Sequence, residues 1–397
     1  MKPGKASLAA IFCVVFIDLI GFGIVIPVLP LYAERFGASA LVIGLLLAIY
    51  SVMQTLFAPV LGRWSDRIGR RPVLLMSVLG SSAGFLLMGW ANGLPLLFLA
   101  RIIDGITGGN ISTAQAYIAD ITPPSQRSRG MGLIGAAFGL GFIFGPAIGG
   151  IMSRISLSAP FYFAAGLAAV NAVAIFFFLP ESLAKEHQHQ ARRRSPVRDL
   201  FQEAKGSSLR VVLGIYFLTT VAFSLLTATY PLFAARRFDY QAEQVGYLFA
   251  CMGLLGAVIQ GGMMGWLGRF FREATLARAG MLLLAGGFFS LPFCRDTGSF
   301  FLATGILAAG HSLVVVPLNG LASRSSGPTA QGRVLGLMQS SASIGRIAGP
   351  VMGGCLLHWD STRLPAQFGR SAFGAAGVLV VMALGLASLM NGSAKGA

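Results

Sequence analysis

Eight stretches of this chain contain no Asp, Glu, Lys or Arg: residues 36–62, 72–100, 130–153, 155–180, 211–235, 244–268, 297–323 and 371–394. Each is longer than the roughly 20 residues with which an α-helix crosses a bilayer. Shorter apolar stretches, interrupted by single charges, fill the intervals between them. The pattern predicts twelve helices over residues 7–31, 40–61, 72–91, 95–118, 129–151, 160–180, 210–231, 243–265, 276–294, 299–322, 333–356 and 369–390. The fold class it implies is an all-α, multi-pass membrane protein whose first partner is the lipid bilayer.

Composition agrees. Of 397 residues, 55% are hydrophobic and 11% charged, where soluble domains carry about 25% charge. Soluble enzymes and disordered proteins are excluded. The net charge of +16 does not indicate nucleic acid, because the basic residues are sorted. With a cytoplasmic N-terminus, twenty-one of the 30 Lys and Arg fall on the cytoplasmic side and seven on the other, while Arg101 and Arg346 lie inside spans. Basic residues in short loops stay in the cytoplasm, so both termini are expected there, in the plasma (bacterial inner) membrane. The first apolar run passes through Asp18 to Pro30 as a full span and carries no cleavable signal pattern. Cys13, Cys251, Cys294 and Cys355 have no metal-type spacing and read as small packing residues.

One long polar segment, 181–209, divides the chain into halves, 1–180 and 210–397. Its Arg192–Arg194 run and its His187 and His189 read as a solvated loop facing lipid headgroups. The halves repeat one another. Residues 124–150 align without gaps to 328–354 at an offset of 204, so that Pro124/Pro328, Arg129/Arg333, Gly132/Gly336 and a shared G-x-x-x-G-P-x-x-G-G core coincide. PLYAERFG from 30 is likewise echoed by PLFAARRFD from 231. Two parallel six-helix repeats are a common plan for secondary transporters, with the site near the bilayer midplane.

The loop after the second predicted span reads Gly62-Arg63-Trp64-Ser65-Asp66-Arg67-Ile68-Gly69-Arg70-Arg71-Pro72. A loop selected only for positive charge explains its arginines but neither Asp66 nor its glycines. Asp66 can sit at a helix N-terminus of the other half, where the macrodipole favours an anion, and Arg67 and Arg70 can pair with Asp120 at the cytoplasmic end of the fourth span. The equivalent Gly265–Arg272 loop has lost the acid. Gly141, Gly145, Pro146, Gly149 and Gly150 form the core repeated at 345–354, where Pro kinks the helix and Gly allows close packing. Asp18 opens the first-span run D-L-I-G-F-G-I-V-I-P-V-L-P.

On these three motifs the whole chain resembles the major facilitator superfamily, and within it the twelve-span drug:proton antiporters of the tetracycline-efflux type. The resemblance implies two pseudo-symmetric six-helix bundles and a cytoplasmic latch of Gly62, Asp66, Arg67, Gly69, Arg70 and Asp120. It also implies alternating-access export driven by protons, without enzymatic activity, metal or cofactor other than the coupling proton. A monomer acting on a small-molecule substrate is expected.

Asp18 lies about eleven residues into its predicted helix, roughly 16 Å. Asp104 is the other acid within a span, with Arg101 one turn before it. Ionisable groups at such depth face a cavity and find partners, so Asp18, Arg101 and Asp104 are the candidates for proton coupling. The alternative for Arg101 and Asp104 is a static pair holding helices together. The repeat counterpart of Asp18 is Thr219 or Thr220. Gln54, Asn110, Gln115, His311, Asn319 and Gln339 are candidates for the substrate cavity, although polar side chains in membrane helices bond neighbouring helices more often than substrate. Arg346 either binds an anionic group or snorkels. Tetracycline exporters typically carry a further acid midway along the third span, where this chain has Gly84, and the ninth span also lacks one. Both losses count against tetracycline–magnesium binding while leaving proton antiport intact, and whether tetracycline is carried stays open. A specific sugar, lipid or siderophore exporter is the alternative. All five lysines lie outside the spans, which excludes a retinal photoreceptor.

Overall fold

The computed structural model describes residues 5–123, 127–183, 207–324, 331–363 and 365–388. Most of the expected linker 181–209, Pro124 and Pro328 of the repeat, and the C-terminal tail lie outside the described residues. No strand occurs among the described residues.

The helices are α1 (Lys5–Glu34), α2 (Ala40–Ile68), α3 (Arg70–Gly89), α4 (Leu94–Ile121), α5 (Arg127–Ser153), α6 (Ala159–Phe178), α7 (Ser207–Phe238), α8 (Ala242–Phe270), α9 (Glu273–Ser290), α10 (Thr297–Arg324), α11 (Gln331–Ser361) and α12 (Arg370–Ser388). Eleven are long and apolar enough to cross a membrane. The remaining one, α11, is 31 residues long and carries Gln339, Ser340, Ser343 and Arg346 within it. The end of the helices that adjoins residues 181–209 is termed the linker side below.

Two helices expected to be continuous are not uniform. α4 breaks after Thr107 and restarts at Asn110, where Gly108-Gly109 carries little helix propensity. α8 contains a π-helical turn over Val258–Met263, and such turns recur at functional sites.

The repeat governs packing. α1 packs on α5 and α6, and α3 on α4 and α6; likewise α7 packs on α11 and α12, and α9 on α10 and α12. The described residues fall into two compact units, one drawn from 1–38, 49–194 and 241–250, the other from 39–48, 195–240 and 251–397. Each unit thus includes ten residues from the other half of the sequence, nine of them at the start of a helix.

The repeated glycines explain the tight joints. A Cβ at Gly141 would stand 2.7 Å from Leu19 Cβ, at Gly145 2.6 Å from Gly23 Cα, and at Gly149 2.8 Å from the Ile24 carbonyl, so these residues hold α5 against α1. Gly345, Gly349 and Gly353 hold α11 against Thr220, Val221 and Leu225 of α7 in the same way. This register equates Ile20 with Val221 and Ile24 with Leu225, and so Asp18 with Thr219. The fourth glycine of each set turns elsewhere. Gly150 meets Glu243 and Gly246 of α8, and Gly354 meets Ala40 and Gly44 of α2. In contrast, Gly132, Gly135 and Gly139 of α5 and Gly261, Gly262, Gly265 and Gly268 of α8, all nearer the linker side, have open space beyond their Cα.

Candidate functional site

Asp18 falls near the midpoint of the 30-residue α1. Its Oδ2 accepts a hydrogen bond from Asn110 Nδ2 at 3.1 Å, and Asn110 is the first residue after the α4 break. Before the break, Arg101 Nη1 donates to Asp104 Oδ2 at 2.9 Å, with both side chains almost completely buried. The ring of Tyr50 from α2 lies 4.3 Å from the Arg101 guanidinium carbon, a cation–π contact that counts for most where water is absent. Ser81 of α3 and Asp18 of α1 both lie within electrostatic reach of the Asp104 carboxylate.

Gln54 joins the two segments. Its Nε2 donates to the Gly108 carbonyl at 2.8 Å and to the Tyr50 hydroxyl at 3.2 Å. It therefore satisfies a carbonyl at the break while positioning the ring that covers Arg101. Asp18, Asn110, Gln54, Tyr50, Arg101, Asp104 and Ser81 form one polar network drawn from α1, α2, α3 and α4. Arg101 Nε is buried without a hydrogen-bond partner among the described residues, so the guanidinium is not fully committed to its present pairing.

Gly84 lies in this network. A Cβ there would stand 3.0 Å from Asp104 Cβ and 3.2 Å from the Ala100 carbonyl. The space that a third-span acid would need is occupied by the fourth-span Asp104. In the second half Gly287 meets Leu307 as Gly84 meets Asp104, so the repeat counterpart of this acid is aliphatic.

The linker-side cluster centres on Arg70. Its guanidinium pairs with Asp66 at 2.6 Å and with Asp120 at 3.1 Å, and bonds Ser65 Oγ at 2.7 Å. Arg67 is exposed, and Gly62 has open space around it. Gly69 has φ +108°, the region that favours glycine. Glu181, which the sequence places in the linker, accepts from the backbone N–H groups of Arg70 (2.9 Å) and Arg71 (3.1 Å). It thereby caps the N-terminus of α3, where four N–H groups lack helical partners and the dipole favours a carboxylate. A Cβ at Gly69 would collide with Glu181 Oε2. Gly69 thus meets two demands, its backbone angle and room for the cap.

The remaining candidates disperse. Gln115 and Gln339 are exposed, on α4 and α11. His311 stacks flat on Phe223 of α7 with ring centroids 3.7 Å apart, and Asn319 lies two turns further along α10, half-buried. Sequence reasoning missed Tyr50, Ser81 and Glu181, because no local pattern separates a site Tyr or Ser from a packing one. The Gly108-Gly109 doublet was the available signal for the break.

Comparison with known proteins agrees with this architecture. The Major Facilitator Superfamily signature matches residues 11–350 and 212–392. The chain is 34% identical over 344 residues to the class E tetracycline resistance protein of Escherichia coli, covering 85% of each. It is 28% identical over 378 residues to multidrug resistance protein 2 of Bacillus subtilis (strain 168), covering 94% of this chain and 92% of that one. The crystal structure of the human organic anion transporter MFSD10 (TETRAN) superposes with a TM-score of 0.71 at 27% identity, covering 98% of this chain and all of the other. An inward-facing bacterial homologue of the lysosomal transporter Spinster superposes at 0.79 with 17% identity, which bears on the fold alone. This chain, a membrane protein built for transport and not for catalysis, belongs to the Major Facilitator Superfamily.

Proposed function

We propose that this protein is a proton-driven exporter of small amphipathic or lipophilic compounds, drugs among them, working by alternating access. The observation that carries the reading is the first-half network, in which two mid-membrane carboxylates, Asp18 and Asp104, flank a break in α4. Buried carboxylates without a transport role are poor stabilisers, because desolvation offsets most of the attraction to a partner. Kinship with tetracycline and multidrug resistance proteins supports export.

Asp104 is held by Arg101, so a proton arriving there weakens the pair and frees the guanidinium to keep only its contact with Tyr50. Asp18 is held by an amide that can serve either protonation state, since Asn110 carries both a donor and an acceptor. Because the carboxylates contact opposite sides of the α4 break, a change of proton occupancy alters the forces on the two segments unequally. Tyr50 and Gln54 carry that change to α2. The membrane potential contributes about 2.3 kcal/mol per charge per 100 mV, enough to bias such a cycle.

The linker side faces the cytoplasm of a bacterial inner membrane on this reading, in keeping with its basic excess, and the transporting unit is a monomer. The test is efflux of a panel of fluorescent lipophilic dyes and antibiotics in everted vesicles, with the proton gradient intact or collapsed by an ionophore. Accumulation that depends on the gradient and disappears in Asp18→Asn is expected. Accumulation indifferent to the ionophore would sink the proton coupling.

A further inference from the structure

The second half carries one charge midway along a span, and proton coupling makes no use of it. Arg346 is at the centre of α11, which runs from Gln331 to Ser361. A cation at this depth is expensive unless it lines a water-filled path or meets an anion.

Four polar residues midway along α11 share one face, while Ser341, on the other side, donates to the Leu213 carbonyl of α7. Gln339 and Ser340 are exposed and Ser343 and Arg346 half-buried, at the one-turn spacing that aligns side chains. Arg346 Nη2 donates to Ser343 Oγ at 3.1 Å, and Ser343 Oγ donates onward to the Gln339 carbonyl at 3.0 Å.

α7 carries a matching row. From Thr219 to Tyr230 only Thr220, Phe223 and Thr227 keep part of their surface, and Tyr216 continues the row one turn earlier. Thr220 abuts Gly345, the neighbour of Arg346, and the Tyr216 hydroxyl lies within electrostatic reach of the guanidinium. Further along, the Phe223 ring is backed by the parallel imidazole of His311. The His311 Nδ1 is buried and meets no hydrogen-bond partner among the described residues. From Tyr216 to Phe223 is about 10 Å of helix, the length of a fused aromatic system.

We propose that the second half recognises an aromatic carboxylate, its anionic end at Arg346, Ser343 and Tyr216 and its ring system along α7 toward the Phe223–His311 stack. This rests on the exporter reading and names its cargo class. The planar guanidinium fork matches a carboxylate bidentately, and the stacked rings offer a face to an aromatic body. Proton handling and cargo recognition then occupy different halves, acids in the first and the cation in the second.

The test is binding of two fluorescent probes of nearly equal shape, anthracene-9-carboxylate and anthracene-9-carboxamide, to the purified full-length protein. The parent should prefer the carboxylate by about tenfold or more, the size of a charge-assisted hydrogen bond. Arg346→Gln should abolish the preference, and Arg346→Lys should retain part of it. Tyr216→Phe should lower it a few-fold, and answers the question if Arg346→Gln does not fold. Equal affinity of the parent for the two probes, binding of neither, or an unchanged ratio in the variants overturns the proposal. Binding is read without a gradient, so failure of proton-driven export leaves this result standing, and loss of the anion preference leaves the export reading standing.

Discussion

The two mid-membrane acids differ in what holds them, and the difference predicts how each tolerates neutralisation. Asp18 accepts from Asn110, and an Asn in its place offers the same oxygen. Asp18→Asn is therefore expected to fold with little change in melting temperature and to fail in uphill export. Asp104 balances a buried guanidinium, and removing one member of a buried pair costs about 3–5 kcal/mol. Asp104→Asn should lose export and also melt several degrees lower in detergent; equal melting of the two variants would contradict the pairing. The in-span acids and Arg101 were legible because charges are rare in such a sequence. Tyr50 and Ser81 were not, since ring placement over Arg101 and the nearness of Ser81 to Asp104 depend on contacts made from α2 and α3. The sequence left Thr219 and Thr220 open as the counterpart of Asp18, and the glycine register selects Thr219.

At the level of elements, hydropathy located all twelve helices, because the bilayer forces backbone bonds to close inside each segment, but α2 and α7 each run seven residues past their expected ends at 61 and 231. It did not locate departures within a helix. At the break in α4, Gln54 from α2 reaches the Gly108 carbonyl, a contact that no local pattern encodes. Gln54→Ala should leave that carbonyl without the bond, cost about 1–3 kcal/mol of stability and slow transport. Gln54→Glu, which keeps the reach but loses both donors, should not rescue it. Unchanged transport and melting in both would make the break independent of Gln54. The start of α3 gives a second test. Gly69→Ala places a Cβ against the Glu181 carboxylate at a backbone angle unsuited to Ala, and should cost more than 1 kcal/mol. Glu181→Gln, which keeps an acceptor but loses the charge, should cost less. The reverse order, measured by thermal unfolding, would remove Glu181 as the cap.

Across the whole molecule the repeat at offset 204 was readable from residues alone, and it correctly implies two sets of helices packed alike. The grouping of residues 39–48 and 241–250 with the opposite half of the sequence was not, although the fourth glycine of each repeated core contacts these segments. Gly150 against Gly246 and Gly354 against Gly44 bring backbones together on the side away from the linker, while glycines nearer the linker on α5 and α8 have room. Alternating access then requires these two contacts to part. Gly354→Leu would overfill the joint with α2, at a cost of about 1–3 kcal/mol, enough to shift a two-state equilibrium about fivefold or more. The reporter is Ala40→Cys in a background without the native cysteines, since Ala40 is buried against Gly354. A membrane-impermeant maleimide added outside intact cells should label it slowly in the parent and several-fold faster with Gly354→Leu. Labelling from outside at all would place this end of α2 on the external face, as the proposed cytoplasmic placement of the linker side requires. Labelling at the same rate in both proteins would mean that the glycine contact does not control access, whatever the fate of the proton network.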